Sequence, residues 1–371
     1  MPKNQLETRL YRAIALARRD PHRNVFVWTK FHMSAATPIQ FQPHPTPTRR
    51  TEHGLPPRMQ RVTHSHRKVP MITRVSSVTL EVPDLDDSIS FYRDRVGLTV
   101  TERVDDTVYL RARQAHHDMI LEMSSDRRSS LKSFNFESDD VTADVSKAVS
   151  AGCTDLGPVD HAGAERAHML AAPGGFGIRI HSTLEHVGAP TEAGTTRPQH
   201  FSHFNVGVPN VAEVIQFFVE GLGLRNSDWI GSVEDPLIGW LHCPVDGALH
   251  HGVAVLRTDD VRLHHISFEY DTVTDIVDRV DNFVDDTHFL VWGMGRHGTG
   301  GSIFAYIEDP SGTMVELGTG MIRIGRDPRW AEPQVWAMDD PRGVDEWGSS
   351  TPAAWLAKRV DIASPIPSTN R

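Results

Sequence analysis

From Met71 onward the sequence repeats itself, and a duplicated chain is confined to folds that place two like bodies side by side. The segment SSVTLEVPDLDDSISFYRDRVGLTV (76–100) aligns with SHFNVGVPNVAEVIQFFVEGLGLRN (202–226). Each copy reads as an alternating strand, Val-Pro, an amphipathic helix with an aromatic pair, and a Gly-Leu turn into the next strand. Further on, SLKSFNFESDDVTADVSKAV (130–149) matches RLHHISFEYDTVTDIVDRV (262–280), and AAPGGFGIRI (171–180) matches EDPSGTMVEL (308–317). These matches divide the body into modules at 71–190 and 191–320, with a C-terminal segment over 321–371. Within each module the order strand, helix, strands occurs twice. That order predicts an α+β fold of paired βαβββ units whose sheets curl into a half-open cup with helices outside.

Residues 1–70 are of another kind. They hold 13 Lys and Arg against 3 Asp and Glu, whereas the remainder holds 25 against 45, so a basic head precedes an acidic body. The head is rich in Pro, Arg and His without a sustained apolar period, and is expected to be a disordered extension with at most one short helix in LETRLYRAIALARR. It reads as a dispensable tail upstream of a natural start at Met71, with an organelle-targeting segment or a polyanion-binding arm as alternatives. The body's acidity argues against nucleic acid as the main partner. No apolar run approaches 18 residues, so no membrane span is expected. Cys153 and Cys243 form neither a CxxC nor a disulfide framework, which fits a reducing cytoplasm.

Aligned position by position, the modules differ in three residues that carry chemistry. His203 stands opposite Ser77, His265 opposite Ser133, and Glu316 opposite Arg179. Alternation along each strand sorts these residues independently of the alignment. His203 shares a face with Asn205 and Gly207, and Glu316 with Met314 and Gly318. In LHHISFEY (263–270), His265 lies with Ser267 and Glu269, while His264 is expected with Ile266 and Phe268 in the core. Two neutral imidazoles and one carboxylate on three strands of a curved sheet match a facial triad, the ligand set of non-haem Fe(II) sites that keep open positions. Mn(II) suits the same set. Ser and Arg cannot hold the ion in the first module, which therefore reads as a structural half.

The body resembles a type I extradiol ring-cleavage dioxygenase of the vicinal oxygen chelate superfamily, on the strength of SHFNVGVPN, LHHISFEY and YIEDPSGTMVELGTG. The resemblance spans about residues 71–355 and implies two tandem vicinal-oxygen-chelate modules. The family's metal ligands fall on His203, His265 and Glu316. Its acid/base histidine corresponds to His251 in ALHHGVAVL, which leaves His250 facing outward, and imidazole suits the role because it titrates near neutrality. Its substrate-contacting residues correspond to His297 and Tyr306. Asn205 and Trp240 resemble residues lining the pocket in the homoprotocatechuate branch, and residues 335–355 resemble that branch's C-terminal lid. Where that branch carries arginines for a substrate carboxylate, this chain has Trp292 in the pocket region and Gly343-Val344 before DEWG, so an uncharged or apolar catechol is expected.

The function implied is cleavage of a catecholic ring next to the diol, with a catechol and O₂ as partners. Two other readings stay open on the same scaffold, a non-redox lyase or isomerase and a metal-free binding protein of the bleomycin-sequestering kind. Relatives usually self-associate, and exposed sheet edges make a homo-oligomer reasonable.

Overall fold

The computed structural model describes residues 71–190, 196–285 and 287–366, so the disordered basic extension expected over residues 1–70 lies outside the described residues. The first module runs β1 (Ile72–Val82), α1 (Leu85–Phe91), β2 (Thr99–Val104), β3 (Thr107–Arg111), β4 (Met119–Met123), then β5 (Ser130–Ser138), α2 (Val141–Ser150), β6 (Thr154–Pro158), β7 (Ala167–Ala171) and β8 (Gly177–His181). The second repeats this order with β9 (His200–Val208), α3 (Val211–Leu222), β10 (Arg225–Gly231), β11 (Pro236–His242), β12 (Val253–Arg257), then β13 (Arg262–Tyr270), α4 (Val273–Phe283), β14 (Trp292–Arg296), β15 (Ile303–Glu308) and β16 (Met314–Thr319). Four βαβββ units result, as the repeats predict.

Each unit starts its helix with the same device. Asp84, Asp140, Asn210 and Thr272 each cap a helix by accepting a hydrogen bond from the backbone amide three residues on. A side-chain acceptor at that position satisfies an amide that the helix itself leaves unpaired. Gly97, which ends a π-helical turn (Tyr92–Val96) continuing α1, and Gly223, which ends α3, take the left-handed conformation that the turn into β2 and β10 requires.

Each module forms one curled sheet. The first has strand order β2-β3-β4-β1-β5-β8-β7-β6, and the second β14-β15-β16-β13-β9-β12-β11-β10. The two central strands of each sheet, β1 with β5 and β9 with β13, are antiparallel, and each is flanked by a parallel partner. The backs of the sheets share one apolar core in which Phe134 of the first module stacks on Phe204 of the second, centroids 3.5 Å apart and rings within 7° of parallel. Deleting either ring would cost on the order of 3–5 kcal/mol.

The C-terminal segment is stitched to both sheets. β17 (Gln334–Trp336) extends the second sheet beside β10, a short helix α5 (Ala353–Leu356) follows, and β18 (Asp361–Ile362) pairs with β5 of the first. Cys153 and Cys243 are free and buried. Among the described residues no helix is long and apolar enough to cross a membrane.

Candidate metal centre

Register brings the three differing residues together. Ser267 on β13 sits directly opposite His203 on β9 and beside Glu316 on β16, and His265 lies two residues back along β13. Cross-strand neighbours share a face and so do residues two apart, so all three side chains enter one cup. His203 Nε2 lies 3.3 Å from His265 Nε2 and 3.2 Å from a Glu316 Oε2 that is 3.4 Å from His265 Nε2. Donor atoms bonded about 2.1 Å from one centre and at 90–109° to one another are about 3.0–3.4 Å apart. The spacing thus fits a shared divalent ion, and this is the group among the described residues whose donor atoms converge for one. The other carboxylate oxygen, Glu316 Oε1, is buried without a hydrogen-bond partner, so the carboxylate keeps acceptor capacity that the protein does not use.

The electrostatics favour ligation. Burial, reinforced by His264 and His203, drives the His265 imidazole well below its usual range and keeps it neutral. Burial pulls the Glu316 carboxyl upward, but His203, His297 and Tyr306 outweigh it and leave the group a carboxylate. Tyr306, opposite Glu316 across β15 and β16, donates to Glu316 Oε2 at 2.8 Å. His297 Nδ1 donates to the Val344 carbonyl, and its Nε2 lies 3.1 Å from the Tyr306 hydroxyl. The His251 ring stands 4.4 Å from that of His203, and burial holds it well below the usual imidazole range. Asn205, opposite His265, and Trp240 line the same cavity.

Three expectations need correction. Trp292 stacks behind Tyr306, ring centroids 5.8 Å apart and rings within 10° of parallel, so it backs the cavity wall rather than lining it. His250 is buried, not outward. Its Nδ1 lies 3.1 Å from His251 Nδ1 and its Nε2 3.4 Å from Asp228, which also accepts from the Gln334 amide and the Trp336 indole. His264 does not join Ile266 and Phe268, because a bulge between Leu263 and His265 breaks the alternation. Its ring packs 4.4 Å from that of Trp355, which also contacts His265 and Tyr306. Val344, noted in the sequence only for standing where an arginine could, lines the cavity, and Ile238, Ala254 and Thr299, which carry no mark in the sequence, line it too.

In the first module the equivalent face is closed by its own hydrogen bonds. The Asn135 amide donates to Ser77 and Thr79, and Ser133 donates to its carbonyl oxygen. Arg179 donates through Nη1 to His161, which continues at 3.2 Å to His117 and from there at 3.0 Å to His116. His116 and His117 occupy the places of His250 and His251 in the repeat.

A duplicated βαβββ body with a converging His, His, Glu group in one cup defines a class of paired-module proteins. The chain belongs to the Glyoxalase/Bleomycin resistance protein/Dioxygenase superfamily, whose model matches residues 74–180 and 200–317. It is 25% identical over 314 residues to the metapyrocatechase of Geobacillus stearothermophilus, covering 79% of this chain and 95% of that one. It is 29% identical to a manganese-dependent 2,3-dihydroxybiphenyl 1,2-dioxygenase of Geobacillus genomosp. 3, covering 71% of this chain and 90% of the relative. The crystal structure of homoprotocatechuate 2,3-dioxygenase from Arthrobacter globiformis superposes with a TM-score of 0.70 at 25% identity, over 80% of this chain and 94% of that one.

Proposed function

We propose that the protein is an extradiol dioxygenase, opening a catechol ring beside its diol with O₂, and that His203, His265 and Glu316 hold the catalytic divalent ion. The observation that supports this most is the convergence of the three donor atoms within a cavity that His251, His297 and Tyr306 also line. Fe(II) at this position would gather the catecholate and dioxygen and carry electron density between them. Mn(II) suits the same donors, and one relative is named for its manganese dependence.

The remaining side chains handle protons and shape. His251, kept neutral by burial, is an acceptor for a catechol proton and can later return it. Burial and the Glu316 charge push the Tyr306 hydroxyl well above its usual range, so it remains a donor. Ile238, Trp240, Ala254 and Val344 form an apolar wall that excludes water. Among the cavity's described residues there is no Arg or Lys. Arg296 is held by the Gly301 carbonyl and the Trp347 ring, and Arg342 by Asp340. The substrate is accordingly an uncharged catechol, and an alkyl or aryl substituent suits the wall.

A lyase or isomerase drawing ligands from both modules is disfavoured, since Ser77 and Ser133 are spent on Asn135 and Arg179 is a cation. The deciding experiment loads the protein with Fe(II) without air, adds a catechol, and measures oxygen uptake on admitting O₂. One O₂ per catechol with a yellow ring-opened product is the expected result, and tight catechol binding without oxygen uptake would reject the assignment.

A further inference from the structure

His264 sits between the candidate metal ligand His265 and the segment that roofs the cavity, and its hydrogen bonds have one consistent polarity. His264 Nδ1 lies 2.8 Å from His265 Nδ1, and His264 Nε2 lies 2.9 Å from the backbone carbonyl of Trp355. His264 is fully buried, and Trp355 lines the cavity from α5. An imidazole that ligates through Nε2 carries its proton on Nδ1, so His265 must donate and His264 Nδ1 must accept. That leaves the His264 proton on Nε2, aimed at a carbonyl that can only accept. If His265 instead carries its proton on Nε2, His264 donates through Nδ1. Two lone pairs, from His264 Nε2 and the Trp355 carbonyl, then face each other in a buried place.

Building on the metal reading above, we propose that His264 is a positioning residue that couples metal occupancy at His265 to docking of the C-terminal strap, residues 341–362. Metal binding selects the tautomers that hold the strap down. By reciprocity, a docked strap raises the affinity for the metal by the same factor.

Hydrogen exchange of the folded full-length protein, with and without Mn(II) alone, tests the coupling, while metal binding is measured on the same samples by titration. In the wild type, Mn(II) should slow exchange of amides in 341–362 about tenfold, the scale on which partners of metal ligands act. His264→Phe keeps a ring against Trp355 but neither hydrogen bond. It should bind Mn(II) about tenfold more weakly and show no metal-dependent protection of the strap. If circular dichroism shows that this variant is unfolded, His264→Leu, which also removes both hydrogen bonds, takes its place. Wild-type protein that binds Mn(II) with no change in strap exchange overturns the coupling and leaves the metal site standing, as does equal protection in the variant. Wild-type protein that binds no Mn(II) overturns both.

Discussion

Tyr306 and Glu316 face each other across an antiparallel strand pair, and the phenol donates to the same carboxylate oxygen that lies nearest the two histidines. His297 Nε2 competes for that one proton from 3.1 Å away. Tyr306 therefore orients the carboxylate and stands ready to turn its hydrogen bond to a neighbour or a bound substrate. Tyr306→Phe should lower kcat on the order of 10²-fold, as loss of one aimed donor does, while metal affinity falls only about tenfold. Steady-state oxygen uptake together with a Mn(II) titration checks both numbers.

Substrate choice follows from the missing cation. The wild type should turn over a 3-alkyl or 3-aryl catechol with kcat/KM at least about tenfold above that for 3,4-dihydroxyphenylacetate, whose carboxylate would be buried without a partner. Val344 lines the cavity beside the roof, so Val344→Arg places a guanidinium at its rim. The ratio should shift toward the carboxylated substrate by about tenfold, the effect of roughly one charge-assisted hydrogen bond. A wild type that prefers the carboxylated catechol would contradict the reading of the pocket.

Buried histidines in both modules should make the fold acid-sensitive, and His181 is the first module's clearest contributor. Burial lowers the His181 imidazole from 6.5 to about 4, against a partial upward pull from the Ser182 carbonyl. Above pH 6.5 both folded and unfolded chains are neutral here and the residue adds no pH dependence. Between 6.5 and 4 the unfolded chain binds a proton that the native protein does not, so stability falls as pH falls, by about 1.4 kcal/mol per unit. Below 4 the slope from this group ends. Chemical denaturation across that range should show the decline, and His181→Gln should make its slope shallower by about 1.4 kcal/mol per pH unit, leaving the share of the other buried histidines.

The duplication and the convergence of His203, His265 and Glu316 on one face were legible in the sequence because strand alternation is a strong constraint. His203, Asn205 and Gly207, or Met314, Glu316 and Gly318, sort onto faces with no other knowledge. The failures come where that regularity breaks. The bulge at Leu263–His265 has no sequence mark, and it turned His264 from a core residue into a neighbour of Trp355. Trp292 shares the face of Tyr306 but lies one strand farther out, a distinction of layer that a one-dimensional pattern does not contain. The apolar wall residues Ile238 and Ala254 look like any core residues until the cup closes around them. β17 and β18 span only three and two residues, too short for a period to register.

Arg179 occupies the place of Glu316 in the first module, and its positive charge is carried by the chain itself, whereas on the metal reading proposed above the second cup would take its positive charge from solution. One half of the molecule is consequently self-sufficient, assembled alike whether or not the surroundings supply an ion. If the second cup holds an ion as proposed, a chelator should leave the first cup unchanged and replenishment of the ion should restore the second.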